Sequence, residues 1–414
     1  MKNSIFVALW GNPLKWEYAT YDLKDFSDRA VTSSGVIHDH ICPEAESFIF
    51  LPDSLFPELY VNNDVIDAHK DIIIDNIKKE IMAKNDVKSV EFISNSHIIL
   101  FPSIGSFFAD GVSFTLEVNV NFLYTYFYRK SLDYMETQEK LDEIIIDMTH
   151  GINFLQFIFL ESLKYAGMVY SLRHRRDIVI EYYNSSPYSG GAPISIILVR
   201  IVNILFKNVL SSVSRDFLNV YKKNKNQIIN YYKNLGLNVN PLYIKGCAIM
   251  ILSVTLPYLA YVLSQIDVLK VPAYGEITLA ISKDEDMSII THEFPGYYMT
   301  YMENMAFFDV LMAVKEFLGY NNGIYISELY TALDLYFGGE SGKIFVKSEL
   351  VRMKSNHNGE PEFSEANFSR NFKAHAGLLN GLYDLNNNTI SFKVYNHHGN
   401  KINIEWVITK LVNE

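Results

Sequence analysis

The sequence predicts an α/β domain with a parallel sheet, followed by a mostly helical domain. Three observations support this: short buried runs alternate with helical patterns up to Asn184, helical periodicity dominates from Pro193 onward, and Ser, Pro and Gly cluster over 185–192. Strands separated by helices are typical of βαβ units, and hence of a parallel sheet with helices on both faces. We therefore expect one domain over 1–190 and a second over 191–414.

Five segments of the first region are predicted to be strands, because each is a short apolar run bounded by turn residues. They are SIFVALW, SFIFLP, SVEFIS, EIIIDMT and DIVIEYYN. Helical periodicity is present in DVIDAHKDIIIDNIKKEIMAK and in GINFLQFIFLESLKYAG, where the helix is expected to end at Gly167. The basic run that follows, SLRHRRD, is interpreted as a solvated loop between helix and strand.

Beyond the boundary, three long segments have mostly helical periodicity. They are ISIILVRIVNILFKNVLSSV, DFLNVYKKNKNQIINYYKNLG and YYMTYMENMAFFDVLMAVKEFLG. The lysine-rich part of the second segment, YKKNKNQ, is interpreted as an exposed helix face. GEITLAISKDEDMSIITHEF is predicted to hold a pair of strands. NTISFKVYNHHGNKINIEWVI is predicted to be a late hairpin or a mixture of helix and strand.

The composition is that of a folded protein without a bulk affinity for nucleic acid. Hydrophobic residues make up 49% and aromatic residues 14%, enough to bury more than one core. The net charge of -11 argues against coating nucleic acid by bulk electrostatics, but it leaves a local basic cleft open. Two cysteines allow one disulfide at most, which fits the cytoplasm, and no signal peptide is evident.

One uncharged segment, from Gly246 to Ile266, is long enough to cross a bilayer. The alternative is a buried helix kinked at Pro257. We favour the buried helix, because neither a second span nor a flanking basic cluster accompanies the segment. No membrane partner is therefore expected.

Polar residues follow three of the predicted strands, at Gly11-Asn12-Pro13, at 147–153 and at 184–191. Ligands of open parallel sheets bind outside the carboxyl ends of the strands. The helix N-terminus after EIIID offers backbone N–H groups to phosphate, and Gly151 lets a ligand approach closely. Alternatively, Thr149 is an N-cap and Gly151 a turn residue. Neither GxGxxG nor GxxxxGK[ST] is present, which excludes a dinucleotide fingerprint and a P-loop.

At these strand ends, ALWGNPLKWEYATY, VTSSGV, IIIDMTHGIN and YYNSSPY resemble the CARF domain of CRISPR-associated Csx-type proteins, most specifically in the Asp-x-Thr-His-Gly-x-Asn motif. The resemblance implies a Rossmann-like dimer that binds cyclic oligoadenylate, the messenger of type III CRISPR systems, with the tetra-adenylate as the expected activator. The messenger-binding residues that the resemblance implies are Asn12, Ser33 or Ser34, Thr149, His150, Gly151, Asn153 and Ser186.

Near the C-terminus, RNFKAHAGLL places Arg370, Asn371 and His375 within six residues. The spacing is similar to the Arg-Asn-x-x-x-His motif of HEPN ribonuclease domains, which follow the CARF domain in the same family. Histidine, with an ordinary pKa of ~6.5, suits acid–base chemistry, and arginine offers a guanidinium fork to phosphoryl oxygens. Asn371 shares the helical face of His375, four residues later, and can orient its ring.

On an ideal helix Arg370 and His375 lie ~140° apart, so they do not converge within one copy. Two copies across a dimer axis complete the site, which is how the family builds it. This predicts a homodimer, with assembly beyond the dimer left open. From the residues alone, the alternative is that Arg370 and Lys373 form a solvated face while His375 packs at a turn near Gly377.

Together, the two resemblances imply a cytoplasmic endoribonuclease of CRISPR antiviral defence, activated by cyclic oligoadenylate. Attack by the 2′-hydroxyl of single-stranded RNA needs neither metal nor cofactor and leaves a 2′,3′-cyclic phosphate. His397 and His398 lack acidic or cysteine partners, so no metal site is predicted. The main alternative is a nucleotide-sensing regulator whose helical domain binds nucleic acid or protein without cleaving. A CARF domain that slowly degrades its messenger also stays open.

Overall fold

The computed structural model describes most of the chain, in two compact units. The first unit comprises 1–167, 177–204 and 274–299, and the second comprises 168–176, 205–273 and 300–414. The described residues are 3–56, 59, 67, 69–109, 112–151, 153–187, 192–234, 241–265, 277–284, 287–293, 295, 298, 300–320, 323–336, 340–355, 372, 382–386, 388–392 and 404–413.

The first part of the chain alternates strands and helices. The elements are β1 (Ser4–Leu9), β2 (Ala19–Leu23), β3 (Phe26–Ala30), α1 (Ser33–Ile41), β4 (Glu46–Pro52), α2 (Lys70–Ala83), α3 (Val87–Asn95), β5 (His97–Phe101), β6 (Gly105–Ala109), β7 (Val112–Glu117), α4 (Val120–Met135), β8 (Glu143–Asp147), α5 (Asn153–His174), β9 (Ile178–Ser185) and β10 (Ile194–Ile204). Short 3-10 turns follow β1 at Pro13–Lys15 and β4 at Asp53–Leu55.

The rest of the chain is mostly helical. Its elements are α6 (Phe206–Asn234), α7 (Pro241–Leu252), α8 (Leu256–Gln265), β11 (Thr278–Asp284), β12 (Met287–Glu293), α9 (Met302–Phe317), β13 (Ile324–Tyr325), α10 (Ile326–Tyr336), α11 (Glu340–Ser355), β14 (Tyr383–Asn386), β15 (Thr389–Phe392) and α12 (Ile404–Asn413). The late segment is thus a mixture of strand and helix, one of the two expected forms.

An eight-stranded sheet forms the centre of the first unit, in the order β3-β2-β10-β9-β8-β1-β4-β5. The five strands β9-β8-β1-β4-β5 are all parallel, as the sequence predicts. Strand β10 runs antiparallel to β9 and extends the sheet toward β2 and β3. The central strands are apolar and buried, as expected for parallel strands whose two faces are both covered.

A second sheet of the first unit has the order β11-β12-β7-β6. The predicted strand pair in GEITLAISKDEDMSIITHEF is confirmed, and its second strand pairs in parallel with β7. His292 of β12 lies 2.5 Å from Asp53 Oδ2 through Nε2 and 3.1 Å from the Glu117 carbonyl through Nδ1. Burial opposes protonation of this ring, but the Asp53 charge and both hydrogen bonds outweigh it and raise the pKa of His292.

The uncharged segment from Gly246 to Ile266 contains parts of two helices, the end of α7 and the whole of α8, instead of one helix. Val254 lies between them with a φ of 56°, and the Thr255 N–H and hydroxyl both donate to the Met250 carbonyl, at 2.8 and 3.1 Å. These bonds end α7 after Leu252. No helix in the described ranges combines the length and apolarity that a membrane span requires.

Two of the expected elements are wrong. SVEFIS lies in helix α3, because the Asp86 side chain caps its N-terminus by accepting from the Ser89 N–H at 3.0 Å, and Phe92 and Ile93 are buried on one face. ISIILVRIVNI is strand β10, since it fills the place between β9 and β2. Its run of β-branched residues fits a strand as well as a helix until the neighbouring strands are known.

Two further expectations for the end of α5 are also wrong. The helix does not stop at Gly167 but continues to His174. A Cβ at Gly167 would lie 3.0 Å from the Ile204 side chain, so close packing explains this glycine better than a helix cap. The run SLRHRRD is not a solvated loop, because its first residues complete α5 and Arg173 forms an ion pair with Asp309. The first compact unit also extends past 190 to Ile204, while the two functional domains stay a prediction.

Candidate functional site

The carboxyl ends of β1 and β8 lie side by side at the point where the strand order reverses. After β1 the sheet grows through β4 and β5 on one side, whereas β8 and β9 lie on the other. Ligands of open α/β sheets bind in the crevice at such a switch point. The Gly11 N–H donates to the His150 carbonyl at 2.8 Å, which ties the two strand ends together.

A buried carboxylate organises this edge of the sheet. Asp147 Oδ2 accepts from the hydroxyls of Ser33 and Ser34 at 2.7 and 2.6 Å, and Oδ1 accepts from the Thr149 N–H at 2.9 Å. Both oxygens of the side chain act as acceptors. We refer to Ser33, Ser34, Asp147, Thr149 and His150 as the strand-end cluster. Asp147 thus joins the start of α1 to the end of β8.

The N-terminus of α1 is fixed by local hydrogen bonds. Thr32 caps the helix, because its hydroxyl accepts from the Ser34 N–H at 3.1 Å. The Trp10 indole N–H donates to the Ser34 hydroxyl at 2.9 Å, so this hydroxyl accepts from Trp10 and donates to Asp147. The predicted residues Ser33 and Ser34 are therefore buried parts of the scaffold of the site.

His150 is neutral in this environment. Its Nε2 accepts from the Ser33 N–H at 3.2 Å and lies 3.2 Å from the Tyr21 hydroxyl. A backbone N–H can donate to Nε2 only when that nitrogen carries no proton. Burial lowers the pKa of His150 to about 4, although the Asp147 charge opposes the shift. The indole of Trp16 stacks on the ring, with centroids 4.0 Å apart.

The 3-10 turn after β1 holds Trp16 in place. The Asn12 side chain accepts from the Leu14 N–H at 3.0 Å, which starts the turn. The ammonium of Lys84 donates to the carbonyls of Leu14, at 3.1 Å, and of Trp16. Asn12 is exposed at the edge where β1 ends.

Gly151 is explained by the close approach of β1. A Cβ at this position would lie 3.2 Å from the Leu9 carbonyl oxygen and 2.9 Å from the Gln156 side chain. Gln156 is itself held, because its amide donates to the Met148 carbonyl at 2.6 Å. Packing at the strand end therefore accounts for the glycine, and its contact with a ligand stays a prediction.

Thr149 carries an unused hydrogen-bonding group. In the part of the chain that the structure describes, its buried hydroxyl has no hydrogen-bond partner. Buried polar groups normally have one, so the hydroxyl is available to a ligand. Helix α5 begins at Asn153, four residues later, so Thr149 is not its N-cap. The side chain of Asn153 lies outside the described atoms.

Ser186 is bonded to the neighbouring strand. Its N–H donates to the Ser195 carbonyl at 2.8 Å, and its hydroxyl accepts from the Ser195 N–H at 3.1 Å. These bonds continue the pairing of β9 with β10 beyond the end of β9. The structure therefore brings Ser33, Ser34, Thr149 and His150 together around Asp147, whereas the described bonds of Ser186 go to β10.

The predicted catalytic residues Arg370, Asn371 and His375 lie outside the described residues, as do His397 and His398. Within RNFKAH, only Phe372 is described. It is fully buried and packs edge-on against Tyr258 of α8, with ring centroids 5.3 Å apart. Among the described residues, no group of three or more His, Cys, Asp or Glu side chains is placed to hold a metal ion.

Sequence reasoning did not assign roles to four residues that build the site: Trp10, Trp16, Tyr21 and Asp147. The two tryptophans and Tyr21 lie in ALWGNPLKWEYATY, a segment that is unusually aromatic for a strand end. Asp147 heads the Asp-x-Thr-His-Gly-x-Asn motif. The composition of the segment was therefore a signal, but the partners of each side chain were not in the sequence.

Comparison with known families agrees with this geometry. Residues 5–187 match the family model for the CARF domain of the CRISPR system endoribonuclease Csx1. This region is similar to a Csx1-type CARF domain. The matched range runs from β1 to the end of β9 and contains the whole strand-end cluster. The recognition of a Csx-type CARF domain from the sequence is confirmed.

A relative of known name extends the similarity beyond the CARF domain. The CRISPR system endoribonuclease Csx1 of Methanocaldococcus jannaschii is 25% identical over 248 residues, which cover 56% of this chain and 48% of the relative. The chain therefore spans about half the length of the curated relative that it matches.

Proposed function

We propose that the protein is a CRISPR-associated endoribonuclease whose CARF domain binds cyclic oligoadenylate and thereby controls RNA cleavage. The observation that carries the proposal is the hydrogen-bonded strand-end cluster, which lies within the region that matches the Csx1 CARF family model. Asp147 fixes the start of α1 at the switch point, and the buried Thr149 hydroxyl beside it has no partner among the described residues.

The groups at this edge suit a nucleotide ligand. The Asn12 amide and the Thr149 hydroxyl offer hydrogen bonds, the indole of Trp16 offers an aromatic surface, and the neutral His150 adds no charge. A cyclic oligoadenylate repeats one nucleotide around a ring, so two identical sites related by a twofold axis can bind it together. We therefore propose a homodimer, with cyclic tetra-adenylate as the activator.

Cleavage is assigned to Arg370, Asn371 and His375. His375 accepts the proton of the ribose 2′-hydroxyl, whose oxygen attacks the adjacent phosphorus, and the bond to the 5′-oxygen breaks as this oxygen takes a proton from water. The Arg370 guanidinium stabilises the charge on the phosphoryl oxygens, and Asn371 orients the imidazole. The products are a 2′,3′-cyclic phosphate and a 5′-hydroxyl, and no metal takes part. Burial of Phe372 against Tyr258 supports the presence of this motif within the helical unit.

The proposal is tested by cleavage of a fluorescent single-stranded RNA in EDTA, with and without cyclic tetra-adenylate. We expect cleavage that rises with the messenger and disappears in His375→Ala. Cleavage that persists in His375→Ala contradicts the assignment. Messenger binding without cleavage of any RNA favours the regulator alternative instead. Recovery of intact messenger after hours of incubation excludes its degradation by the CARF domain.

The messenger site is tested separately by calorimetry. Thr149→Val removes the hydroxyl and keeps the shape of the side chain, so messenger binding should weaken about 10-fold. Thr137→Val is the matched control, because the Thr137 hydroxyl donates to the Tyr134 carbonyl at an exposed turn away from the cluster. Equal messenger affinity in both variants contradicts the role of Thr149.

The proposed function also implies that the protein acts in the cytoplasm, where its RNA substrate is found.

A further inference from the structure

A group of lysines lies where α6 packs against α7 in the second unit. Lys222 and Lys225 are exposed on α6 and follow Tyr221, which is buried. Lys245 of α7 is half-buried, and its ammonium lies 5.8 Å from the centroid of the Tyr221 ring. We refer to Lys222, Lys225 and Lys245 as the lysine cluster. Two of its members lie in the run YKKNKNQ of α6, and the third lies in α7, which packs against α6.

No described carboxylate neutralises the charges of the cluster. Within the described residues, none of the three ammonium groups has a carboxylate at ion-pair distance. Lys245 donates to the Val412 carbonyl at 2.8 Å, which carries no full charge. Glu405, on the same helix as Val412, is bonded to Tyr243 instead. Partial burial, and then repulsion from Lys225 and Lys222, lower the pKa of Lys245.

The fold of α6 brings two lysines of the run near Lys245, because Lys225 and Lys222 both repel its ammonium and lower its pKa. Lys223 is exposed in the same run. The backbone leaves helical geometry at Asn224, with φ -129° and ψ 29°, in the middle of the run. The cluster is thus a local positive site in a chain of net charge -11.

We propose that the lysine cluster binds the phosphate backbone of single-stranded RNA. The inference rests on the proposed ribonuclease function and names where that substrate is held outside the RNFKAH motif. Phosphates supply the negative charges that the three ammonium groups lack, and lysine recognises them as point charges without reading sequence. The motif lies in the same unit, since Tyr258 of α8, the helix after α7, packs against Phe372.

Salt dependence of RNA binding tests the proposal directly. The full chain with His375→Ala, which does not consume the probe, is titrated with a fluorescein-labelled single-stranded RNA at several salt concentrations. Each lost phosphate contact should reduce the slope of log K against log salt by about 0.7. We expect Lys222→Gln with Lys225→Gln to reduce the slope by about 1.4 and to weaken binding at least ~10-fold at low salt. Lys223→Gln is the matched control and should leave both nearly unchanged.

Two outcomes overturn the lysine cluster as the RNA site. One is a double variant that changes RNA affinity and slope no more than Lys223→Gln does. The other is a double variant that loses calorimetric binding of inorganic phosphate but keeps the RNA affinity of the parent protein. A parallel cleavage assay with His375 intact separates the two proposals. Messenger-dependent cleavage with unchanged RNA affinity in the double variant removes only the cluster, whereas a wild type that neither binds nor cleaves RNA removes both.

Discussion

Arg173 in the last turn of α5 forms an ion pair with Asp309 of α9, with Nη2 2.9 Å from Oδ1. The carboxylate is 3% exposed and the guanidinium side chain 27%. Helix α5 begins at Asn153, directly after the strand-end cluster, and its residues 168–174 belong to the second unit. The last residues of α5 therefore belong to the helical unit, where this ion pair attaches them to α9.

Removing the Arg173 charge should destabilise the fold, because the buried Asp309 carboxylate loses its ion pair with this guanidinium. We expect Arg173→Met to lower the free energy of unfolding by about 2–4 kcal/mol, and the double variant with Asp309→Asn to recover part of that loss. Lys164→Met is the control on the same helix, because the exposed Lys164–Glu161 pair should contribute less than about 1 kcal/mol. Similar losses in both variants contradict the prediction.

Asp147 should be the residue of the strand-end cluster least tolerant of change. The Asp147 carboxylate accepts three hydrogen bonds, whereas in Asp147→Asn one of the two oxygens is replaced by a donating N–H₂ group. Either the Thr149 N–H or the two serine hydroxyls therefore lose their acceptor. We expect a loss of about 2–3 kcal/mol in urea unfolding and weaker messenger binding. Asp22→Asn, which disturbs one surface bond from Ser27, should change stability by less than about 0.5 kcal/mol.

The depressed pKa of His150 predicts a pH dependence of stability. In the unfolded chain His150 binds a proton near its ordinary pKa of ~6.5, whereas the folded protein binds it only near pH 4. Between these values the unfolded state holds more protons. Stability is therefore present above about pH 6.5 and is lost as the pH falls toward 4, by on the order of 3 kcal/mol.

Urea unfolding of the wild type and of His150→Gln across this pH range checks the effect. The difference in unfolding free energy between the two proteins should shrink as the pH falls, because the variant has no group that titrates at this position. A difference that is constant from about pH 7 to pH 4.5 would show that His150 titrates alike in both states.

His292 should have the opposite dependence. Its pKa is raised, because the Asp53 charge and two hydrogen bonds outweigh its burial. Its stabilising contribution is therefore complete below the ordinary value of ~6.5 and is lost as the pH rises through the raised pKa. The difference between wild type and His292→Gln in thermal unfolding should fall from pH 6 toward alkaline pH. A difference that grows with pH would mean that the ring is neutral against Asp53.

Gly151→Ala should strain the junction of β1 and α5. The added Cβ lies 3.2 Å from the Leu9 carbonyl and 2.9 Å from Gln156, so we expect a loss of about 1–2 kcal/mol by urea unfolding. Gly319→Ala is the control, because a Cβ there meets no atom within 4 Å. Adding Gln156→Ala to the Gly151 variant should recover only part of the loss, since the Leu9 carbonyl remains. Full recovery would show that the added Cβ clashes only with the Gln156 side chain and not with the Leu9 carbonyl.

The sequence was most informative where a local pattern has one structural meaning. Apolar strands followed by polar turns predicted the parallel centre of the sheet and the edge at which Asp147, Thr149 and His150 lie. It was least informative for SVEFIS and ISIILVRIVNI, where a short apolar run fits either a helix or a strand. In those segments a cap at Asp86 and the pairing with β2 and β9 made the difference.

By itself, the sequence determined the α/β class, the CARF motif and the order of the two regions, because these depend on residues close together in the chain. Only the tertiary structure decided which groups meet. Trp16 stacks on His150, Ser33 bonds to Asp147, and His292 reaches Asp53 across 239 positions. Contacts of this kind arise from strand order and packing. The pKa and the rotamer of a side chain depend on its hydrogen-bond partner, which only the fold brings into position. Short sequence segments therefore supply the chemical groups of the site, whereas the tertiary fold determines their distances and contacts.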